Sequence, residues 1–483
     1  MKADSVSSVT KIRGPKMRLM IVIGVSIALA TVALNACSPQ RSILQQVLHN
    51  GKLVVLTRNA ATTYYVGPQG PSGLEYELAK RFAAYLGVEL DMKVKANLND
   101  ILDEIQNGDA QLAAAGLTVT EKRQRRVRFT VPYQQIKQQL VYNQQNRRPR
   151  SLADLVGGDL EVLANSSHAE RLKELSSKVS DLKWTEDKDI GSTELLTLVA
   201  EQVVDYTIAD SNEVTVNRLY HPSLQVAFDV SEKQNLAWAM PKGKDLSLYT
   251  AANDFINELK ESGELNRIIR RHYSHLRNYD YAGTTHFISQ VRQRLPRYHS
   301  IFEDTAERYD LDWRLLAATA YQESHWNPRA VSPTGVRGIM MLTRATAEYL
   351  GVLQRTNAEQ SIDGGGRYLR KLIDKLPKHI KEPDRTWLAL AAYNIGYGHV
   401  QDARMITALR GGNPDKWIEV KDNLPLLRKR KWYKQTRYGY ARGKEPVRYV
   451  ENIRSYYSIL NWQMTNSQQY QQKPLLALNS DVL

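Results

Sequence analysis

The hydrophobic pattern changes period near the middle of the chain. From residue 51 onward, short apolar runs alternate with helical stripes. Lys52–Thr57 (KLVVLT) is β-branched and apolar and predicts a strand. Across Gly73–Gly87, Leu74, Leu78, Phe82 and Leu86 recur every fourth residue, which marks one face of a helix. Another strand-like run precedes a short helix over 99–108, ended by Gly108. The alternation continues through Leu160–Ala164 and Val203–Ala209 and closes on an amphipathic helix around Leu246–Leu259. Strand, helix, strand predicts a parallel sheet with right-handed crossovers.

Between 272 and 290 this texture stops. His272, His275, Asn278, Asp280, Gly283 and His286 make a polar stretch. Beyond it the 3.6-residue period dominates, over 287–309, 313–326, 344–351, 362–376, 384–395 and 447–462. A chain of 483 residues is long enough for several domains at roughly 100–200 residues each. The expected fold class is therefore multidomain, with an α/β part followed by an all-α part. The boundaries read as 1–36 (export signal), 37–50 (tether), 51–275 (α/β domain), 287–465 (helical domain) and 466–483 (tail).

Composition narrows the function. The net charge of +15 suits an anionic polymer or surface as partner. A single cysteine excludes an internal disulfide and a thiolate zinc site. No G-x-x-x-x-G-K-[ST] loop and no calcium loop is present, so neither a metal nor another cofactor is expected. Lys2, Lys11, Arg13, Lys16 and Arg18 precede the uncharged run 19–34, and Leu34-Asn35-Ala36-Cys37-Ser38 follows. That order is an export signal. Its end resembles a bacterial lipobox, which implies acylation of Cys37 after cleavage, and Ser38 resembles the outer-membrane sorting pattern. The other reading of 19–34 is an uncleaved membrane helix. Both place the body outside the inner membrane, which removes nucleic acid as a partner. The lipobox resemblance implies a location on the periplasmic face of the outer membrane, with its lipid as a partner.

Ala115–Arg123 (AGLTVTEKR) and Val127–Tyr133 (VRFTVPY) resemble the signature of family 3 periplasmic solute-binding proteins. The resemblance spans roughly 50–272 and implies a two-lobed α/β fold with a ligand cleft. It also implies that Arg123, Thr118 and Thr120 meet a ligand carboxylate, for which a guanidinium fork is suited. Asp210 would accept from the ligand amino group, and the Asn165-Ser166-Ser167 turn would present Ser166. The effector class so implied is an amino acid or a muropeptide. The alternative reading is a capped loop with solvated arginines.

The second half carries the candidate chemistry. Asp312 is an N-cap residue, and Trp313, Leu316, Ala317 and Ala320 share one helix face. Ser324 is central on that stripe, and Glu323 lies on its edge, about 80° from Trp313. A carboxyl half withdrawn from water there has its pKa raised toward that of a usable acid. Glu323-Ser324, Gly338-Ile339-Met340-Met341, Ala392-Tyr393-Asn394 and Tyr449-Val450 together resemble the four motifs of family 1 lytic transglycosylases, with methionine at 341 where glutamine is usual.

That resemblance implies a lysozyme-like helical domain acting on peptidoglycan glycan strands, with cleavage of the MurNAc–GlcNAc β-1,4 bond and 1,6-anhydromuramyl products. Glu323 would serve as acid and then as base. Ser324 would orient the substrate acetamido group or the carboxylate, or else is a small core residue. Tyr393 and Asn394 would face the groove, or else are a core tyrosine and a helix C-cap, and Tyr449 reads either as a platform under a sugar or as core. Met340 and Met341 read either as a platform under a sugar or as core. Glu348 and Asp363 read as surface and N-cap residues. Two other readings remain: a hydrolytic muramidase, and a non-catalytic receptor for cell wall or solute. Residues 426–454 hold ten Lys and Arg against Glu445 and Glu451, and read as a contact for anionic muropeptide or phospholipid, or as a solvated face.

Overall fold

The computed structural model describes residues 41–472 except 68–69, 96, 178, 180, 189, 277–280 and 334. The signal 1–36, Cys37 and residues 473–483 lie outside the described residues.

The first half forms two lobes, each built on a five-stranded sheet. In the first, the order is Glu89–Lys95, Lys52–Arg58, Leu112–Ala113, Ala239–Met240, Arg128–Phe129. In the second it is Thr185–Asp187, Leu160–Leu163, Tyr206–Asp210, Gln138–Asn143, Leu224–Asp229. The expected parallel pairing holds for three strands of each sheet. The other two strands of each sheet pair antiparallel, which corrects the all-parallel reading. The physical reason is that the chain passes between the lobes twice. Gln134–Ile136 and Gln234–Leu236 are these passages, and they pair antiparallel as a ribbon. Each lobe thereby contains one strand that runs back.

Leu53, Val55 and Leu56 are fully buried because the first sheet is covered on both faces. Leu78 and Phe82 of the helix Leu74–Leu86 cover one face, and Ile101 and Ile105 of Leu98–Asn107 cover the other. At Gly73, which begins the first of these helices with φ 122°, a Cβ would lie 2.1 Å from the Thr63 carbonyl oxygen, so no side chain fits.

Residues 43–50 are not a tether. Ile43–Asn50 is a helix with a complete capping box at Ser42 and Gln45. It is docked on the first lobe by Ile43 N–H to Asp245 and Leu44 N–H to Ser247, with Val47 buried. The signal was present as Ser42-x-x-Gln45 with Ile43, Leu44, Val47 and Leu48 at helical spacing.

The second half is helical. The expected helix 287–309 is two, Tyr281–Gln293 and His299–Arg308, parted by a 3-10 turn at Leu295–Arg297 that contains Pro296. Helices Tyr397–Leu409 and Trp417–Asn423 were not anticipated. The C-terminal helix runs from Lys444 to Gln472, through part of the stretch assigned to the tail. The helix expected at 362 begins at Ala358, capped by Asn357. Asp363 therefore lies inside the helix and pairs with Arg308, while Glu348 is a surface partner of Arg344.

Gly364, Gly365 and Gly366 sit inside that helix, where glycine costs about 1 kcal/mol each relative to alanine. Close packing is the compensation. A Cβ at 364 would meet Val352, one at 365 Met340, and one at 366 Thr305, each at 2.6 Å. The helical core closes around Phe287, Tyr321, Trp326, Ile339 and Met340.

The halves pack directly. Val216, Leu219 and Leu276 join the core of the helical half. Trp462 stacks on Tyr220 at 5.1 Å and meets His221 edge-on at 4.7 Å. Arg454 donates to the Arg271 carbonyl and pairs with Glu451, and Lys421 joins Glu451 to Ser274.

Gly365→Ala is expected to destabilise the helical half by about 1–2 kcal/mol. The overpacking cost against the stem of Met340 exceeds the gain in helix propensity. A denaturant titration followed by tryptophan fluorescence checks this through a lower midpoint.

Candidate active site

Glu323 lies in the last turn of the helix Trp313–Ser324, which starts at the expected cap: the Asp312 carboxylate accepts from Arg314 N–H. The helix ends abruptly. His325 and Trp326 both adopt left-handed backbone, with φ 52° and 56°. Such conformations persist only where surrounding structure holds them. Here Trp326 folds back, and its indole N–H donates to the Ala317 carbonyl at 2.9 Å in full burial.

The Glu323 carboxyl is half-buried. Burial pushes its pKa from 4.5 up to about 7, against the opposing effect of a hydrogen bond donated by the Tyr449 hydroxyl at 2.5 Å. No other carboxylate contributes to the shift among the described residues. Tyr449 itself is 5% exposed, on the C-terminal helix.

The Gly338–Met341 turn forms the adjoining wall. Gly338, at φ 91°, lies against the Arg355 carbonyl, where a Cβ would approach to 1.8 Å. Ser324 and Tyr393 hold this turn in place. The Ser324 hydroxyl donates to the Ile339 carbonyl at 2.8 Å, so it is engaged with backbone and not with the carboxylate. The Tyr393 hydroxyl donates to the Met340 carbonyl at 3.0 Å. The Met340 side chain is fully buried against Gly365, which corrects its reading as a sugar platform. Met341 is partly exposed with φ 46°, and Asn394 is exposed at the end of the helix Asp384–Ile395. Glu323, Tyr449, Tyr393 and the turn thus converge. Charge on Glu323 contributes to raising the pKa of both tyrosines, after burial itself.

The residues expected in the lobed half lie along the seam between the lobes, each engaged with the protein's own groups. Arg123 is buried, and its Nη1 donates to the Thr118 carbonyl at 3.0 Å. Burial lowers its pKa. Thr120 and Ser166 are helix caps: their hydroxyls accept from Arg123 N–H and Ala169 N–H. The Thr118 hydroxyl faces that of Ser167 across the lobes at 3.4 Å. Asp210 pairs with His168 at 2.9 Å. Arg58, which the sequence reading passed over, spans the seam. Its Nη2 meets Glu213 at 2.6 Å and its Nη1 donates to Ser192 at 3.2 Å. Arg58 thereby ties the first lobe to the second.

Comparison with known proteins follows this division. The family model "Bacterial extracellular solute-binding proteins, family 3" matches residues 53–275, and "Transglycosylase SLT domain" matches 300–413. Membrane-bound lytic murein transglycosylase F of Saccharophagus degradans is 52% identical over 429 residues, covering 89% of this chain and 86% of that one. The chain belongs to the membrane-bound lytic murein transglycosylase F family. Another member, from Idiomarina loihiensis, is 48% identical over 442 residues, covering 90% of this chain and 96% of its own. Among solved structures, an amino acid ABC transporter substrate-binding protein, AbpA of Streptococcus pneumoniae, is 27% identical at a TM-score of 0.42, over 47% of this chain and 97% of its own.

Sequence reasoning missed three parts of this family member's site: Trp326 as the pin of the turn, the triple glycine that admits Met340, and the Arg58–Glu213 bridge. Three consecutive glycines inside a helical period were the available signal for the second. No local pattern announces the other two.

Tyr449→Phe removes the donor to the charged form of Glu323, so the carboxyl pKa rises further. The alkaline limb of a rate–pH profile is expected to move up by about one unit. Glu323→Gln removes a carboxyl whose folded pKa exceeds its unfolded value. The cost of the buried charge is absent below the unfolded pKa and complete above about pH 7. The variant is expected to melt higher than wild type at pH 8 and equally at pH 4, as read by calorimetry.

Proposed function

We propose that this protein is a peptidoglycan lytic transglycosylase that cleaves the MurNAc–GlcNAc β-1,4 bond without water. The observation that carries the reading is a single half-buried carboxyl, Glu323, held near neutrality by burial and oriented by Tyr449. With a pKa of about 7 it is protonated in part at neutral pH and able to act in both directions.

Glu323 gives its proton to the bridging oxygen as the bond to muramyl C1 breaks, and the GlcNAc hydroxyl leaves. The substrate's own acetamido oxygen stabilises C1, a known departure from the two-carboxylate scheme. The Glu323 carboxylate then takes the proton of the muramyl C6 hydroxyl, whose oxygen bonds to C1 and closes the 1,6-anhydro ring. The acid is regenerated, and no second carboxylate is required. Tyr449 positions the carboxyl, Ser324 and Tyr393 hold the Met340 turn, and Met341 and Asn394 are left to contact sugar. No step calls for a metal or cofactor.

The lobed half is a sensor for an amino acid or muropeptide, with Arg123, Thr118 and Asp210 as the polar groups of its cleft. Such a ligand acts on the helical half by its differential affinity for two states, and the Trp462–Tyr220 contact is a physical route between the halves. The chain is placed at the periplasmic face of the outer membrane through acylated Cys37. Three acyl chains would hold it firmly, where one alone binds weakly. No helix among the described residues is long and apolar enough to cross a membrane.

The test is a mass spectrum of peptidoglycan digested by the full chain in detergent, beside Glu323→Gln. Anhydromuramyl products are expected, with the variant slower by roughly 10²–10⁴-fold and the wild-type rate falling as pH rises through about 7. Reducing-end products would instead make it a muramidase. Unchanged function in Glu323→Gln would make it a receptor.

A further inference from the structure

Residues 428–440 form an exposed loop of unusual composition around one short helical turn, Arg430–Tyr433. Its thirteen residues hold Arg428, Lys429, Arg430, Lys431, Lys434 and Arg437, four aromatic rings and no acid. All six cations are exposed. The ion pairs nearby belong to Arg442 with Glu445 and to Arg454 with Glu451. None of the six is matched by a carboxylate among the described residues. Like charges this dense repel one another, so a counter-ion partner lowers the free energy of the loop.

The loop is held in place although its tips are solvated. The Ala441 N–H donates to the Leu427 carbonyl and closes its base. Buried Asp402 accepts the backbone N–H groups of Arg437 and Tyr438 at 3.1 and 3.0 Å. The Tyr438 ring lies on Gly398, where a Cβ would approach to 2.7 Å. Gly398 lies in the first turn of the helix that directly follows the one bearing Tyr393 and Asn394. On its other side the loop leads into the helix bearing Tyr449. The C-terminal end of the loop is therefore fastened to the helix that follows the one bearing Tyr393 and Asn394, and leads on into the helix bearing Tyr449. A docking surface for the membrane would have no reason to be fixed there.

We propose that the loop 428–440 is a subsite for carboxylate-bearing peptide attached to the glycan, so that this enzyme prefers peptide-substituted strands with free carboxylates. Guanidinium and ammonium groups match carboxylates, and the exposed Tyr438 and Tyr440 rings offer faces to the peptide. The inference rests on the transglycosylase reading and deepens it. Because the cations are solvent-exposed, the contribution is to encounter and KM, and it is screened by salt.

The experiment compares the full chain with a loop variant carrying Arg428→Gln, Arg430→Gln, Lys431→Gln and Lys434→Gln. A control variant carries Lys52→Gln, Lys93→Gln, Lys183→Gln and Lys233→Gln, removing equal charge from exposed positions of the first half. Each is assayed on peptidoglycan and on the same material with its carboxylates converted to methylamides. The loop variant is expected to lose about tenfold in kcat/KM on the native material, through KM, and nothing on the amidated material. The control is expected to match wild type on both. Equal losses on both substrates, or no loss on either, would overturn the proposal. So would a loop variant that keeps its kcat/KM yet no longer sediments with vesicles of phosphatidylglycerol and phosphatidylcholine, which would assign the loop to lipid. Absence of anhydro products from wild type on both substrates would overturn the transglycosylase reading itself.

Discussion

Withdrawing one carboxyl group from water is the constraint on which the active half depends. Burial works against ionisation of Glu323, and the hydroxyl of Tyr449 works for it. The balance leaves a group near neutrality, suited to giving and retaking one proton. Much of the surrounding architecture serves that balance. Trp326 pins a left-handed turn so that the helix stops one residue beyond Glu323. Ser324 and Tyr393 tie the Gly338–Met341 wall to the helix bearing Glu323 and to the helix Asp384–Ile395. Within the triple glycine, Gly365 gives up helix propensity so that Met340 can fill the space behind that wall.

The lobed half follows a different logic. Its polar groups face a seam instead of a reaction centre, and some pair across it while others pair within one lobe. Arg58 bridges to Glu213 and Ser192, and Asp210 pairs with His168. A buried pair of this kind adds little net stability, but a lost partner is costly. Any ligand entering the seam must therefore replace these bonds with its own. The stacking of Trp462 on Tyr220 and the Lys421–Glu451–Arg454 cluster join the lobed half to the helix that carries Tyr449. Surface charge is organised the other way, with the cations of 428–437 concentrated and, among the described residues, without carboxylate partners.

Much of the division into halves was legible, because periods of two and of 3.6 residues come from strand and helix geometry alone. Caps were legible for the same reason: Asp312 begins its helix as read, and Gly108 ends one. Errors arose where local pattern underdetermines the outcome. The 43–50 segment is polar enough to pass for a tether, yet its few apolar residues dock on the first lobe. Returning strands look like any others in sequence, so mixed sheets read as parallel.

The sequence by itself determined where along the chain each chemical group stands, including Glu323, Tyr393, Tyr449 and the cation-rich run. Only tertiary structure decided what those groups do. Tyr449 and Glu323 are 126 positions apart, Tyr393 and Met340 53, and Ser324 and Ile339 15. Whether a hydroxyl meets substrate, carboxylate or backbone depends on which distant segment folds against it. Likewise, a carboxyl pKa depends on the water excluded by the whole core. Helical periodicity can place Glu323 on the edge of an apolar stripe, but the elements packed around that stripe set the acid.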